Sequence, residues 1–229
     1  MLSDGEISAW CRRSLGEGLA RVRFRSGHLA QVPALAPSPP WTAWDHPGPG
    51  LWPERDDEGR DLNARPGPGW VDAAARGVRQ RLSARRGPPR IGHGDWESQN
   101  LRWAGEHALA VHDWDSVIAQ PETAIVGLAS AVWPAAGGPA DAASVEQSAD
   151  FIAAYQVAAG IRWNDAEAQD AWAAGLWVRL FNAKKDAAAG GGAQLDRLAG
   201  ELADRLSRAA IGGPARARRR RAPDVRPAG

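Results

Sequence analysis

The chain of 229 residues has one cysteine, one tyrosine, one methionine and only two lysines, and each shortage excludes something. A lone Cys11 cannot build an internal disulfide framework or a cysteine-based zinc site, and it reads as a small core residue. Basic charge comes from twenty-six arginines, with Lys184 and Lys185 as the whole lysine supply, so no mechanism can draw on a lysine elsewhere. No run of about 18 apolar residues exists, and the first residues, with Asp4 and Glu6, lack the apolar stretch of a signal peptide. The expectation is a cytoplasmic protein without a membrane partner. Net charge is only +1, because the arginines of the end of the chain (Arg216, Arg218 to Arg221 and Arg226) offset an acidic remainder. That tail has no interleaved aromatics, so specific nucleic-acid binding is not expected of it; its phosphate attraction would be non-specific and salt-sensitive.

What is abundant is Trp, Ala, Gly, Pro and Arg. Ser3 and Glu6 suggest a capped helix over 4–15, and the alternating residues 19–25 suggest a strand, with a turn at Ser26-Gly27-His28 and a second strand from Leu29 to Val32. From Pro33 to Gly69 the spacing of Pro and Gly forbids regular helix or central strand. Trp41, Trp44, Leu51 and Trp52 give this segment apolar anchors, so it reads as an ordered covering loop. Its acidic run, Asp56, Asp57, Glu58 and Asp61, reads as a solvated loop.

Helical spacing returns at Val71, Ala75, Val78 and Leu82 and stops at Gly87-Pro88-Pro89. Leu101–Trp103 and Ala108–His112 read as a β-hairpin turning at Gly105, and Ala124–Trp133 as a buried helix. Capping boxes at Ser144/Gln147 and Asn164/Glu167 open helices near 145–160 and 165–189; the second carries Trp172, Leu176 and Leu180 on one stripe. Lys184 on that helix reads as a solvated charge. After Gly190-Gly191-Gly192, Leu195, Leu198, Leu202 and Leu206 mark a last amphipathic helix, and an Arg-Ala-Pro tail expected to be disordered follows from Gly212. The fold class expected is α+β, mainly α.

His93-Gly94-Asp95-Trp96-Glu97-Ser98-Gln99-Asn100, followed thirteen residues later by Asp113, fits a His-x-Asp-x-x-x-x-Asn pattern with a separate downstream Asp. Isolated Asp or Asn residues beside Gly are usually turn residues; the three at this spacing, with a hairpin between them, are not easily so explained. The pattern resembles the catalytic loop and metal-binding segment of the aminoglycoside phosphotransferase and choline kinase family, which has a protein-kinase-like fold.

The resemblance covers about residues 70–210 and implies a kinase-like C-lobe there, ATP and Mg²⁺ as cofactors, and a small-molecule hydroxyl as acceptor, its identity open. It implies Asp95 as the catalytic carboxylate and Asn100 and Asp113 as metal ligands. His93 is read as structural support, bonding to backbone near the metal segment. Asp115 is open between a second metal and a cap, and Glu97 and Ser98 between local hydrogen bonding and contact with substrate. Ser26, Gly27 and His28 match the phosphate-covering loop weakly, as cofactor-binding residues of an N-lobe remnant.

The chain departs from the family where the lysine-bearing strand should follow, because it enters Pro33-Ala34-Leu35-Ala36-Pro37 instead. Arginine does not replace that lysine like for like. A truncated family member, by gene decay or by loss of a piece near residues 32–35, accounts for this. The expected organisation is an N-lobe remnant over 1–32, a covering segment over 33–69, a helical lobe over 70–211 and a tail over 212–229. The expected function is an impaired small-molecule kinase, with an inactive kinase-like remnant or interaction module as the alternative. A monomer is expected, able to associate through an uncovered face of the C-lobe.

Overall fold

The structure, a computed structural model, describes residues 38–84, 87–104, 107–135 and 142–212. The expected helix over 4–15, the strands around Ser26-Gly27-His28, Cys11, the Gly105 turn and the tail beyond Gly212 lie outside these residues. Helices dominate the rest, so the class is α+β, mainly α. In chain order they are α1 (Gly69–Ala84), α2 (Glu122–Val132), α3 (Val145–Ala159), α4 (Asp165–Ala188) and α5 (Ala193–Arg208). Four short strands stand between α1 and α2: β1 (Pro89–His93), β2 (Leu101–Ala104), β3 (His107–Val111) and β4 (Val117–Pro121).

Both capping boxes form. Ser144 Oγ accepts the Gln147 N–H at 3.2 Å, and the Ser144 N–H returns to Gln147 Oε1 at 2.8 Å. Asn164 Oδ1 accepts the Ala166 and Glu167 amides at 3.0 Å each, and Glu167 Oε2 accepts the Asn164 N–H at 2.8 Å. These bonds satisfy amides that a helix start leaves orphaned, so the two starts fall where the sequence places them. α4 is the centre of the lobe. Trp172, Leu176, Trp177, Leu180 and Phe181 are buried on it, and it packs on α1, α2 and α5. Where α2 crosses α4, Gly127 and Gly175 face each other closely enough that a Cβ on Gly127 would lie 2.0 Å from Ala171 O.

The Pro- and Gly-rich segment is part of this core. Trp44 and Trp52 are buried, and the Trp52 ring lies 5.3 Å from that of Trp177 and 6.2 Å from that of Phe181. A segment without regular structure must find partners for its backbone elsewhere. Asn63 Oδ1 accepts the Trp52 N–H, and Asn63 Nδ2 donates to Trp52 O, each at 2.9 Å. Arg79 of α1 donates to the carbonyls of His46, at 2.8 Å, and Gly50, at 2.6 Å.

Two sequence expectations are corrected here. Lys184 is not a solvated charge: its side chain is 2% exposed and its Nζ lies 3.2 Å from both carboxylate oxygens of Asp72. Asp72 also accepts the Trp52 indole N–H at 3.0 Å, so one carboxylate of α1 joins α4 to the covering segment. Nor is the acidic run simply solvated. Asp56 is buried and takes the Arg60 N–H at 2.7 Å and Arg60 Nε at 2.9 Å.

The hairpin β2–β3 forms, but the pair β1–β4 is not visible in the sequence pattern. These strands are antiparallel, with Pro89 opposite Pro121 at one end and His93 opposite Val117 at the other. The glycine inside β1 is required by a close approach: a Cβ on Gly92 would stand 2.6 Å from Ile125 Cγ2 of α2.

Candidate active site

The β1–β4 ribbon delivers His93 to the start of the loop that holds Asp95 and Asn100. Gly94 N–H donates to Ser116 O at 2.8 Å, and a Cβ on Gly94 would lie 2.7 Å from that same oxygen, so glycine lets the two backbones meet. The loop is tied down on its other sides. Trp41 Nε1 donates to Gly94 O at 2.9 Å, Ser98 N–H to Trp133 O at 2.9 Å, and Ser98 Oγ to Ala135 O at 2.6 Å. Trp96 is buried beneath it, edge-on to the His93 ring at 5.9 Å.

His93 is buried and bridges the two halves of the site. Its Nε2 lies 2.7 Å from His112 O, and its Nδ1 lies 3.2 Å from the Asp95 N. The Asp95 amide can only donate, so Nδ1 accepts and the ring proton sits on Nε2, pointing at His112 O. One imidazole thereby couples the backbone of Asp95 to the residue before Asp113. Asn100 adds a second tie, because its main-chain oxygen accepts the His112 N–H at 2.8 Å. Asp113 follows in the left-handed conformation, with φ of 64°, which Asp tolerates better than most residues and which turns the chain out of β3.

Asn100 is buried, and its Nδ2 donates to Asp95 O at 2.9 Å and to Asp95 Oδ2 at 3.0 Å. This orients the Asp95 carboxylate and leaves Oδ1 of Asn100 for another partner. Burial raises the Asp95 pKa above the ordinary carboxylate value, against the stabilising bond from Asn100 and the influence of His93; Asp113 and Asp115 push it up further. Ser26, Gly27 and His28 lie outside the described residues.

Asp95 lines a cavity of about 460 Å³ between the loop that holds it, the covering segment and α4. The covering segment contributes Asp57, Glu58 and Arg60 to its wall, the loop contributes Glu97 and Gln99, and α4 contributes Asn182 and Lys185. Asp186 also lines it, but its Oδ2 accepts the Gln194 N–H at 3.0 Å in the turn between α4 and α5. A larger cavity, about 590 Å³, opens at the opposite end of the ribbon beside Pro89 and Pro121 and contains none of the motif residues. The smaller one is the candidate site, because the carboxylate oriented by Asn100 lines it.

Glu97 is the residue that sequence reading left open and the geometry brings forward. Burial above all, then the charge of Asp95, raises its pKa from 4.5 to about 7, while Gln99 Nε2, donating to Glu97 Oε2 at 2.6 Å, and Lys185 oppose the rise. A carboxyl with a raised folded pKa binds more protons folded than unfolded, so its contribution to stability is full below about pH 4.5 and is lost as pH rises through 7. Glu97→Gln keeps the bond to Gln99 and removes that loss. Its stability relative to the parent is expected to improve between pH 5 and 8, by about 1–2 kcal/mol after allowance for solvent screening. Denaturant unfolding across that range checks this; a pH-independent difference would show that Glu97 ionises as an ordinary surface acid.

No family model, curated protein or solved structure matches this chain. The motif geometry is therefore what speaks for its chemistry. Among the described residues no three His, Cys, Asp or Glu side chains group closely enough to cage a metal ion. Asn100 Oδ1 and the Asp113 carboxylate are hard oxygen donors of the kind Mg²⁺ takes, but neither residue lines the cavity beside Asp95.

Proposed function

We propose that the chain is an ATP-dependent phosphotransferase acting on the hydroxyl of a small molecule, with a low turnover. The observation that supports this most is the Asp95 carboxylate, oriented by Asn100 at 3.0 Å and facing a cavity large enough for a small acceptor. Phosphoryl transfer asks a protein mainly for positioning and charge stabilisation. Asp95 accepts a hydrogen bond from the acceptor hydroxyl and takes its proton as the oxygen attacks. Asn100 and Asp113 would hold Mg²⁺, which supplies charge neutralisation on the phosphate oxygens. His93 keeps the loop and the Asp113 turn in register through His112. The acidic side of the cavity wall, with Asp57 and Glu58, favours an acceptor that also carries an amine.

Low turnover follows from the lysines. Lys184 is buried against Asp72 and Lys185 is paired with Asp57 and Glu58, so neither is placed to clamp a triphosphate. Loss of one such electrostatic contact typically costs 10² to 10³ in rate. The same observation favours a second reading, a catalytically silent relative that keeps only the acceptor cavity.

A coupled ADP-release assay with MgATP and a panel of amino-sugar, amino-alcohol and nucleoside acceptors separates the two. Slow, Mg²⁺-dependent release that requires one class of acceptor is the expected result. No Mg²⁺-dependent release above background with any acceptor would leave the silent reading standing.

A further inference from the structure

The larger cavity, about 590 Å³ at the Pro89–Pro121 end of the ribbon, is lined by polar groups of two kinds. One kind is already engaged by the protein. Asp170 Oδ1 lies 2.8 Å from Arg81 Nη2, Glu122 Oε1 accepts the Tyr155 hydroxyl at 2.6 Å, and Glu167 Oε2 accepts the Asn164 N–H at 2.8 Å. The other kind is not. Among the described residues, the Gln120 carboxamide, the Trp44 indole N–H and the Arg90 guanidinium make no hydrogen bond or ion pair, although Gln120 is only 6% exposed and Trp44 only 3%. Buried polar groups are nearly always paired, because an unmade bond costs the full desolvation of the group. Two such groups on the wall of one cavity call for a ligand.

Strand register brings these groups together. Arg90 stands opposite Gln120 in the β1–β4 ribbon, so both side chains leave the same face, beside the Pro89–Pro121 pair. α2 begins directly afterwards, at Glu122, with no side-chain cap. Its first residues, Glu122, Thr123 and Ala124, line the same wall, and the first amides of a helix add donors there.

We propose that this cavity is a second binding site, separate from the one beside Asp95, for an uncharged planar ring with an imide edge, in which two carbonyls flank an N–H. Charge and shape select that class. Donors predominate among the unpaired groups, with Trp44 Nε1, the Arg90 fork and Gln120 Nε2, and Gln120 Oε1 is the acceptor beside them. The ligand must therefore offer mainly carbonyl oxygens and one N–H. A full anion is disfavoured, because Asp45, Glu122, Glu167 and Asp170 line the cavity and, among the described residues, only Arg90 of its lining is basic. An ammonium is disfavoured in turn, since three of those carboxylates are already engaged and the groups left over are donors. Flatness comes from the walls. Trp163 stands there with its backbone N–H fixed by Gln156 Oε1 at 2.8 Å, and Pro88, Pro89 and Pro121 present rigid rings.

Calorimetry on the full chain tests this, with uracil as the probe and with 1,3-dimethyluracil, whose N–H groups are blocked, and benzoate, a flat anion, as controls. Uracil is expected to bind with a Kd below about 1 mM, and each control roughly tenfold more weakly or worse. Gln120→Leu is expected to weaken uracil binding roughly tenfold, and Arg90→Met, a change at a partly exposed side chain that leaves the core alone, roughly threefold. Asp95→Asn is expected to bind uracil like the parent, which assigns the ligand to this cavity and not to the other. No binding of uracil, equal or tighter binding of either control, or an affinity unchanged in both Gln120→Leu and Arg90→Met would overturn the proposal. So would loss of uracil binding in Asp95→Asn. None of these measurements needs turnover, so the second site stands or falls apart from the phosphotransferase reading.

Discussion

Asp95→Asn is expected to lower acceptor-dependent ADP release by roughly 10²-fold or more, the usual scale for a positioned general base. The substitution is close to isosteric. Asn100 Nδ2, which donates to Asp95 Oδ2 at 3.0 Å, can donate to an asparagine oxygen as well, so the loop keeps its shape and only the basicity goes. Acceptor affinity should change little, because the polar wall formed by Asp57 and Glu58 is untouched, and the loss should appear in kcat. The pH profile gives an independent check. Asp95 must be ionised to act, and its pKa is raised by burial, so kcat/KM of the parent should climb with pH through a value above the ordinary carboxylate range. That acid limb should vanish in Asp95→Asn. Equal turnover in the two proteins would place the phosphate chemistry elsewhere.

Gly127→Ala is expected to be among the most destabilising single changes in the lobe, by roughly 2–3 kcal/mol, or a fall in Tm on the order of 5–10 °C. The added methyl group would meet Ala171 O at 2.0 Å, and that obstacle is backbone. No rotamer change relieves such a clash, so α2 and α4 must separate. Separation also loosens the packing of the buried Leu128 and Ala131 between α2 and α4. Gly175, whose own Cβ would lie 2.7 Å from Gly127 O, marks the other side of the same crossing. Thermal unfolding of Gly127→Ala decides this. A Tm equal to the parent's would mean that the helices do not cross so closely.

The helical part of this architecture is legible from local chemistry, because caps and apolar stripes act over a few residues. Ser144 and Gln147, or Asn164 and Glu167, bond to each other whatever the rest of the chain does. The β1–β4 ribbon is not legible in that way. Pro89-Arg90-Ile91-Gly92-His93 has neither alternation nor strand-forming composition, and it is a strand because residues 117–121 lie alongside it. Lys184 fails for the same reason: its partner Asp72 is 112 residues away, and no pattern on its own helix reveals the burial. For the site, the spacing of Asp95, Asn100 and Asp113 is visible in the sequence. What is not is the cavity wall, since Asp57, Glu58 and Lys185 meet only in three dimensions. Glu97 lay within the right loop, and its raised pKa depends on burial that a sequence does not display.

The stacking of Trp52 on Trp177 and Phe181 changes what counts as the smallest piece of this protein able to stand alone. A chain begun at Gly69, where α1 starts, would leave those two rings bare to water and strip Asp72 of its indole partner, with Lys184 still beside it. The autonomous unit therefore begins before Trp44, and a stretch of loops and turns belongs to it as fully as any helix.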